Sequence, residues 1–146
     1  MSQRNSQLKP NVAKSLELWH NMVANGDFGQ FLSIIHPDAV FHSPMAFAPY
    51  RTAPALVMAI STVSQVFDDF TYHRELVAED GLNVVLEFSA RVGDRKLKGI
   101  DLIRFDGDGK IVEFEVMVRP FSGLQALGAE MGARLGQQMP VFKSKD

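Results

Sequence analysis

The stretch Gly99-Ile-Asp-Leu-Ile-Arg-Phe-Asp-Gly-Asp-Gly-Lys-Ile-Val-Glu-Phe-Glu-Val-Met-Val118 decides the fold. It reads as two strands joined by Asp106-Gly107-Asp108-Gly109, residues that tolerate the backbone of a tight hairpin loop. Leaving those four unpaired sets Phe105 opposite Lys110, Ile103 opposite Val112, Asp101 opposite Phe114 and Gly99 opposite Val116. Side chains opposite one another share a sheet face. One face of the hairpin is then apolar except for Asp101, and the other carries Leu102, Arg104, Glu113, Glu115 and Met117. A slip of one residue would bury Glu113 and Glu115 instead, so the faces are well specified. The functional question is why a lone carboxylate stands on the apolar face.

Working outward, two further strands precede the hairpin. Residues 70–78 form one. Residues 82–92 form the next, with Val84, Leu86, Phe88 and Ala90 alternating against Val85, Glu87, Ser89 and Arg91. Glu79-Asp80-Gly81 and Gly93-Asp94 supply the turns. Upstream the period changes to that of a helix: Val12, Leu16, Trp19, Met22 and Val23 make one stripe, ended by Asn25-Gly26. Asp27 caps an expected second helix carrying Phe28, Phe31, Leu32 and Ile35, broken by His36-Pro37-Asp38. Residues 39–43 read as a short strand stopped by Pro44. An aromatic-bearing loop follows, with Phe47 and Tyr50. A third helix starts at Thr52-Ala53-Pro54, with Leu56, Ile60, Val63 and Phe67 on its buried side. After Pro120 the pattern is helical again: Leu124, Leu127, Met131 and Leu135 form a stripe, beside Gly128, Gly132 and Gly136. Interior glycines cost about 1 kcal/mol each against alanine, so either a close neighbour requires them or the segment moves. The expected fold is α+β: a curved antiparallel sheet, three helices on its concave face, and a C-terminal helix.

Composition narrows the function classes. The chain has 146 residues, 46% hydrophobic and 22% charged, with a net charge of −2 and no cysteine. That suits one globular domain. Dispersed Lys and Arg argue against nucleic acid as the main partner. The lack of cysteine excludes thiolate chemistry and disulfides. No apolar run is long enough to span a bilayer, and the N-terminus has no apolar signal core, so cytoplasmic residence and no membrane partner are expected. No His/Asp/Glu spacing suggests a metal site, and neither a metal nor a cofactor is expected.

Three strings resemble the nuclear-transport-factor-2-like superfamily, which includes ketosteroid isomerases and SnoaL-type polyketide cyclases. They are Ala24-Asn25-Gly26-Asp27, the run from His36 to Pro44, and Ile100 to Phe105 leading to Asp108-Gly109-Lys110-Ile111. The resemblance implies a cone-shaped domain over residues 11–119, a loose N-terminus at 1–10 and a C-terminal helical extension at 120–146 packing on or over a deep apolar pocket. It also implies roles. The isomerases' oxyanion-stabilising aspartic acid corresponds to Asp101. Their catalytic base, an aspartate before a proline, corresponds to Ser43. Their oxyanion-hole tyrosine corresponds to Trp19.

Asp101 is the foremost catalytic candidate. In an apolar pocket its pKa rises, so it donates a hydrogen bond or moves a proton near neutral pH. The alternative is a structural carboxylate satisfied by the Trp19 indole or a tyrosine hydroxyl. His42 is the second catalytic candidate, as a base. Its neighbour Ser43 faces the opposite side of the strand, so only one of the two need look inward. Expected pocket residues are Trp19, Ser43, Phe47, Tyr50, Phe67, Phe88, Ile103, Phe114, Val116 and Val118. His20 and His73 show no partner pattern. The outer sheet face, with Glu87, Arg91, Lys98, Arg104, Glu113 and Glu115 beside Ile100, Leu102 and Met117, suits a homodimer interface. The functional expectation is a pocket for a small, mostly apolar, carbonyl-containing molecule, with isomerase- or cyclase-type chemistry at Asp101. The alternatives are a non-catalytic ligand-binding protein and a dimeric interaction module.

Overall fold

The computed structural model describes residues 7–143. Helix α1 (Pro10–Asn25) leads to strand β1 (Ile35–His42), the short β2 (Tyr50–Arg51) and helix α2 (Ala53–Val66). Strands β3 (Asp68–Val77), β4 (Asn83–Val92), β5 (Arg95–Phe105) and β6 (Ile111–Arg119) follow, then helix α3 (Phe121–Leu135). The six strands form one sheet in the order β2-β1-β6-β5-β4-β3. All neighbours are antiparallel except β1 and β6, which run parallel, so the sheet is mixed where an antiparallel one was expected. The parallel pair is built from distant parts of the chain, with Phe41 opposite Phe114.

The β5–β6 hairpin keeps the expected faces in a different register. Asp101 lies opposite Val116, Ile103 opposite Phe114 and Gly99 opposite Val118. The ladder shifts between Arg104 and Phe105, where Val112 is an extra residue. A bulge of this kind, with a longer loop, slides the strand by two places and so preserves which side chains face inward. The loop is tied to α1. Ser15 Oγ donates to the Gly109 carbonyl at 2.6 Å. A Cβ on Gly109 would lie 2.5 Å from the Asn11 carbonyl oxygen, and its φ is +82°, so glycine is required twice over.

Helix α1 buries Val12, Leu16, Trp19 and Met22 as its periodicity predicts, and ends on Gly26 in the left-handed conformation. The second expected helix is reduced to a single 3-10 turn, Phe31–Ile34. Asp27 spends its side chain on the Gly29 amide at 3.0 Å, and Ile35 is already extended and paired with Ile111. Strand β1 therefore begins before Pro37, and its ladder is irregular between Ile35 and Val40. Such a gap accommodates a residue without an N–H. Helix α2 ends at Val66, leaving Phe67 extended rather than on the helix.

Of the expected loose N-terminus, residues 1–6 lie outside the described residues, as do residues 144–146 of the C-terminal extension. Leu8 is buried and belongs to the core. The core has two parts. The larger joins α1, β1 and α2 to the inner faces of β4, β5 and β6; the smaller gathers Val66, Phe88, Ala90, Val92, Leu97 and Leu127. Val63, Tyr72 and Val116 touch both.

Candidate functional site

A cavity of about 590 Å³ is walled by α1, α2, α3 and the inner face of the sheet. Its floor has an origin in local sequence. On β5 the inward residues are Gly99, Asp101 and Ile103; on β4 they are Phe88 and Leu86. A Cβ at Gly99 would lie 2.5 Å from Phe88 Cζ and 2.5 Å from the Met117 carbonyl oxygen. Glycine thus seats the Phe88 ring, which stacks on Phe70 with centroids 5.1 Å apart. Asp101 stands beside this aromatic floor, only 6% exposed.

The carboxylate is the end of a hydrogen-bonded chain. Trp19 Nε1–H donates to the Tyr72 hydroxyl at 3.1 Å, and the Tyr72 hydroxyl donates to Asp101 Oδ2 at 2.5 Å. An indole N–H only donates, so the phenol oxygen accepts from Trp19, and facing an ionised carboxylate, which only accepts, the phenol turns its one proton to Asp101. Asp101 Oδ1 has no hydrogen-bond partner among the described residues. Burial pushes the Asp101 carboxyl up to about 7, against the opposing pull of the Tyr72 hydrogen bond. Tyr72 is raised well above an ordinary phenol, first by burial and then by the negative charge of Asp101.

A second polar pair stands on the same wall. His20 follows Trp19 on α1, meets the Tyr72 ring edge-on at 5.3 Å, and places Nε2 at 2.8 Å from Glu75 Oε1. Both His20 and Tyr72 line the cavity. The remaining surface is mainly apolar, with Phe28, Phe41, Phe67 and Phe70 among its aromatic residues and Leu127, Met131 and Leu135 supplied by α3. Gly128, Gly132 and Gly136 also face it. Only Gly128 of the three meets a side chain from outside the helix, the end of Met45. Among the described residues no cluster of three or more His, Asp or Glu could hold a metal ion.

A model of the SnoaL-like domain matches residues 16–114. The chain belongs to the SnoaL-like domain family. With it comes membership of the nuclear-transport-factor-2-like superfamily, as the three strings suggested. Among solved structures, a steroid delta-isomerase from Pseudomonas aeruginosa is 59% identical, with 91% of this chain and 97% of that chain covered and a TM-score of 0.87. An uncharacterised protein with a cystatin-like fold from Silicibacter pomeroyi is 28% identical over 95% of this chain and 98% of that one, TM-score 0.81. The epoxide hydrolase/cyclase-like enzyme SalBIII shares the fold at 14% identity, covering 80% of this chain and 96% of that one, TM-score 0.64. No curated protein sequence matches.

Within this SnoaL-like frame the expected site residues divide. Asp101, Trp19, Ser43, Tyr50, Phe67, Phe88 and Val116 line the cavity. His42 does not. Phe41 takes the inward position, so His42 turns to the outer face, where Nε2 lies 2.8 Å from Glu113 Oε2. Burial raises the Glu113 carboxyl, but hydrogen bonds from His42 and Arg104 outweigh it and hold it below the usual range. Phe47 is fully exposed at the loop tip. Ile103 and Phe114 are fully buried in the larger core and do not line the cavity. Val118 packs on the smaller core without reaching the cavity. Ser43 is inward, yet its hydroxyl accepts the Met45 amide at 3.0 Å and so serves the turn. Tyr72, His20 and Glu75 were missed. Their partners lie 53 and 55 residues apart in sequence, and no local spacing marks them.

Proposed function

We propose that the protein binds a small, mostly apolar molecule bearing a carbonyl or enol oxygen, and that Asp101 addresses that oxygen in isomerase- or cyclase-type acid–base chemistry. One observation carries this reading: the one-way chain from Trp19 through Tyr72 to Asp101. Oδ2 already accepts the tyrosine proton, so a proton held by Asp101 sits on Oδ1. Oδ1 is the oxygen that has no protein partner among the described residues. The protonated acid then offers its hydrogen to whatever fills the cavity. With a pKa of about 7, the donor form is well populated at neutral pH. As a carbonyl gains enolate character the donated bond strengthens, and the indole and phenol behind it polarise in the same sense. The Pseudomonas aeruginosa relative is a steroid delta-isomerase, and its 59% identity to this chain supports a flat polycyclic ketone as the kind of molecule bound.

β-Naphthol tests the reading, being a flat apolar molecule with one acidic oxygen. It should bind, quench the indole fluorescence and displace the Asp101 titration seen by carboxyl NMR. Asp101→Leu should weaken it at least about tenfold, the loss of one charge-assisted hydrogen bond. Equal binding by the variant refutes the assignment.

The capped Ser43 hydroxyl favours a second reading, a carrier without turnover, since the relatives' base position supplies no basic group here. The outer sheet face supports a homodimer in either case. Met117 and Leu76 are exposed there, beside ion pairs Arg104–Glu113, Arg74–Glu87 and Lys98–Glu87 at 2.8 to 3.2 Å.

A further inference from the structure

Proton transfer at carbon requires a base, and neither His42 nor Ser43 is placed to be one. The cavity wall nevertheless holds one imidazole. Among the described lining residues the titratable side chains are His20, Tyr50, Tyr72 and Asp101, with no lysine or arginine. His20 is therefore the basic nitrogen available to a bound molecule.

Its setting is built rather than incidental. Tyr72 and Glu75 are three apart on β3, a spacing that would put them on opposite faces of a regular strand. The β3–β4 ladder shifts between them, so Tyr72 pairs with Phe88 and Glu75 with Leu86, both inward residues. The irregularity brings the phenol and the carboxylate to the same side, facing α1. There Trp19 takes the phenol and its neighbour His20 takes the carboxylate. A carboxylate only accepts, so Nε2 carries the proton and Nδ1 carries the lone pair. Nδ1 has no hydrogen-bond partner among the described residues. The side chains of His20 and Glu75 are 18% and 22% exposed, shielded but not sealed.

We propose that His20 is the catalytic base of this cavity, oriented by Glu75 as its positioning residue, and that it acts on the carbon beside the carbonyl while Asp101, on the same wall, holds the carbonyl oxygen. The proposal rests on the ligand reading above. His20 Nδ1 removes a proton from the carbon next to the carbonyl. The C–H electron pair forms the enol double bond, and the carbonyl oxygen takes its proton from Asp101 Oδ1. The imidazolium then returns its proton to the same carbon, or to the vinylogous carbon when a double bond is in conjugation, and Asp101 recovers the enol proton. Protons and electrons balance, and no co-reactant is consumed.

The probes are β-tetralone, whose α-hydrogens exchange with deuterium through the enol, and β-naphthol, its aromatic enol analogue. The wild type should bind β-naphthol and exchange the β-tetralone α-hydrogens faster than buffer. His20→Gln should bind β-naphthol as the wild type does, which also shows that it folds, while exchange falls by about a hundredfold or more. Glu75→Gln should move the acid limb of the pH–exchange profile to lower pH, because imidazolium loses its neighbouring anion. Among the described residues the other titratable groups about His20 are Tyr72 on β3, Asp101 behind it on β5, and Glu17 one turn earlier on α1, and none of these changes. A merely structural Glu75 would lower the rate and leave the limb in place. Undiminished exchange in His20→Gln overturns the assignment. So does a wild type that binds β-naphthol without exchanging β-tetralone, and the ligand reading then stands as a carrier. A wild type that fails to bind β-naphthol removes both.

Discussion

Replacing Asp101 by asparagine isolates what a buried acid costs this fold. The carboxyl moves from an ordinary 3.8 to about 7 on folding because burial penalises its charge. Between these values the folded chain holds a proton that the unfolded chain has released, so stability falls as pH rises. Below 3.8 both states are protonated and there is no penalty; above about 7 the penalty is complete. A rise of about three in pKa, at about 1.4 kcal/mol each, gives a ceiling of about 4 kcal/mol. Water entering the cavity solvates the anion, so a loss of at least about 2 kcal/mol is the expected outcome. Asparagine keeps an acceptor for Tyr72 and never ionises. Urea unfolding of both proteins from about pH 4 to about pH 8 reads the difference between them, and contributions from every other group cancel. The wild type should lose stability relative to Asp101→Asn across this window. Parallel pH curves for the two proteins would refute the claim that this carboxylate is desolvated.

Tyr72→Phe strands the Trp19 N–H and Asp101 Oδ2 together; it should cost about 1–3 kcal/mol in urea unfolding and raise the Asp101 titration further in carboxyl NMR. Gly132 has no atom within 4 Å of a built Cβ, so Gly132→Ala should stabilise α3 by about 0.5–1 kcal/mol, read as a higher Tm. The homodimer reading predicts that Met117→Lys, at the exposed centre of the outer face, converts a dimer to a monomer in sedimentation equilibrium. Sedimentation of the wild type as a monomer at micromolar concentration would dismiss it.

The inward and outward faces of β4, β5 and β6 were legible because strand side chains alternate strictly and the apolar set could occupy only one side. Asp101 stood out as the exception to that alternation, and its burial followed. The bulge at Val112 was not legible, since an extra residue leaves no mark when the faces survive a shift of two. The parallel pairing of β1 with β6 was hidden for another reason: it joins segments over 70 residues apart in sequence. His42 and Ser43 alternate by rule, but which of them faces inward is decided by where Phe41 finds room. Tyr72 reaches Asp101 from two strands away, and His20 finds Glu75 from a different layer. Local periodicity reports faces, and such contacts depend on how layers meet.

The close approach at Gly99 has a consequence for how such a cavity diversifies. The ring above it rests against bare backbone, so the depth of the hollow is limited by a single hydrogen atom on one α-carbon. Any larger residue there would press on the Phe88 ring from one side and on the Met117 carbonyl of β6 from the other, so the chamber cannot be made shallower at this position without moving a strand. Cavity depth and chemistry thereby sit on neighbouring inward positions of one strand, Gly99 and Asp101, and the Met117 carbonyl behind Gly99 holds the first of them to glycine.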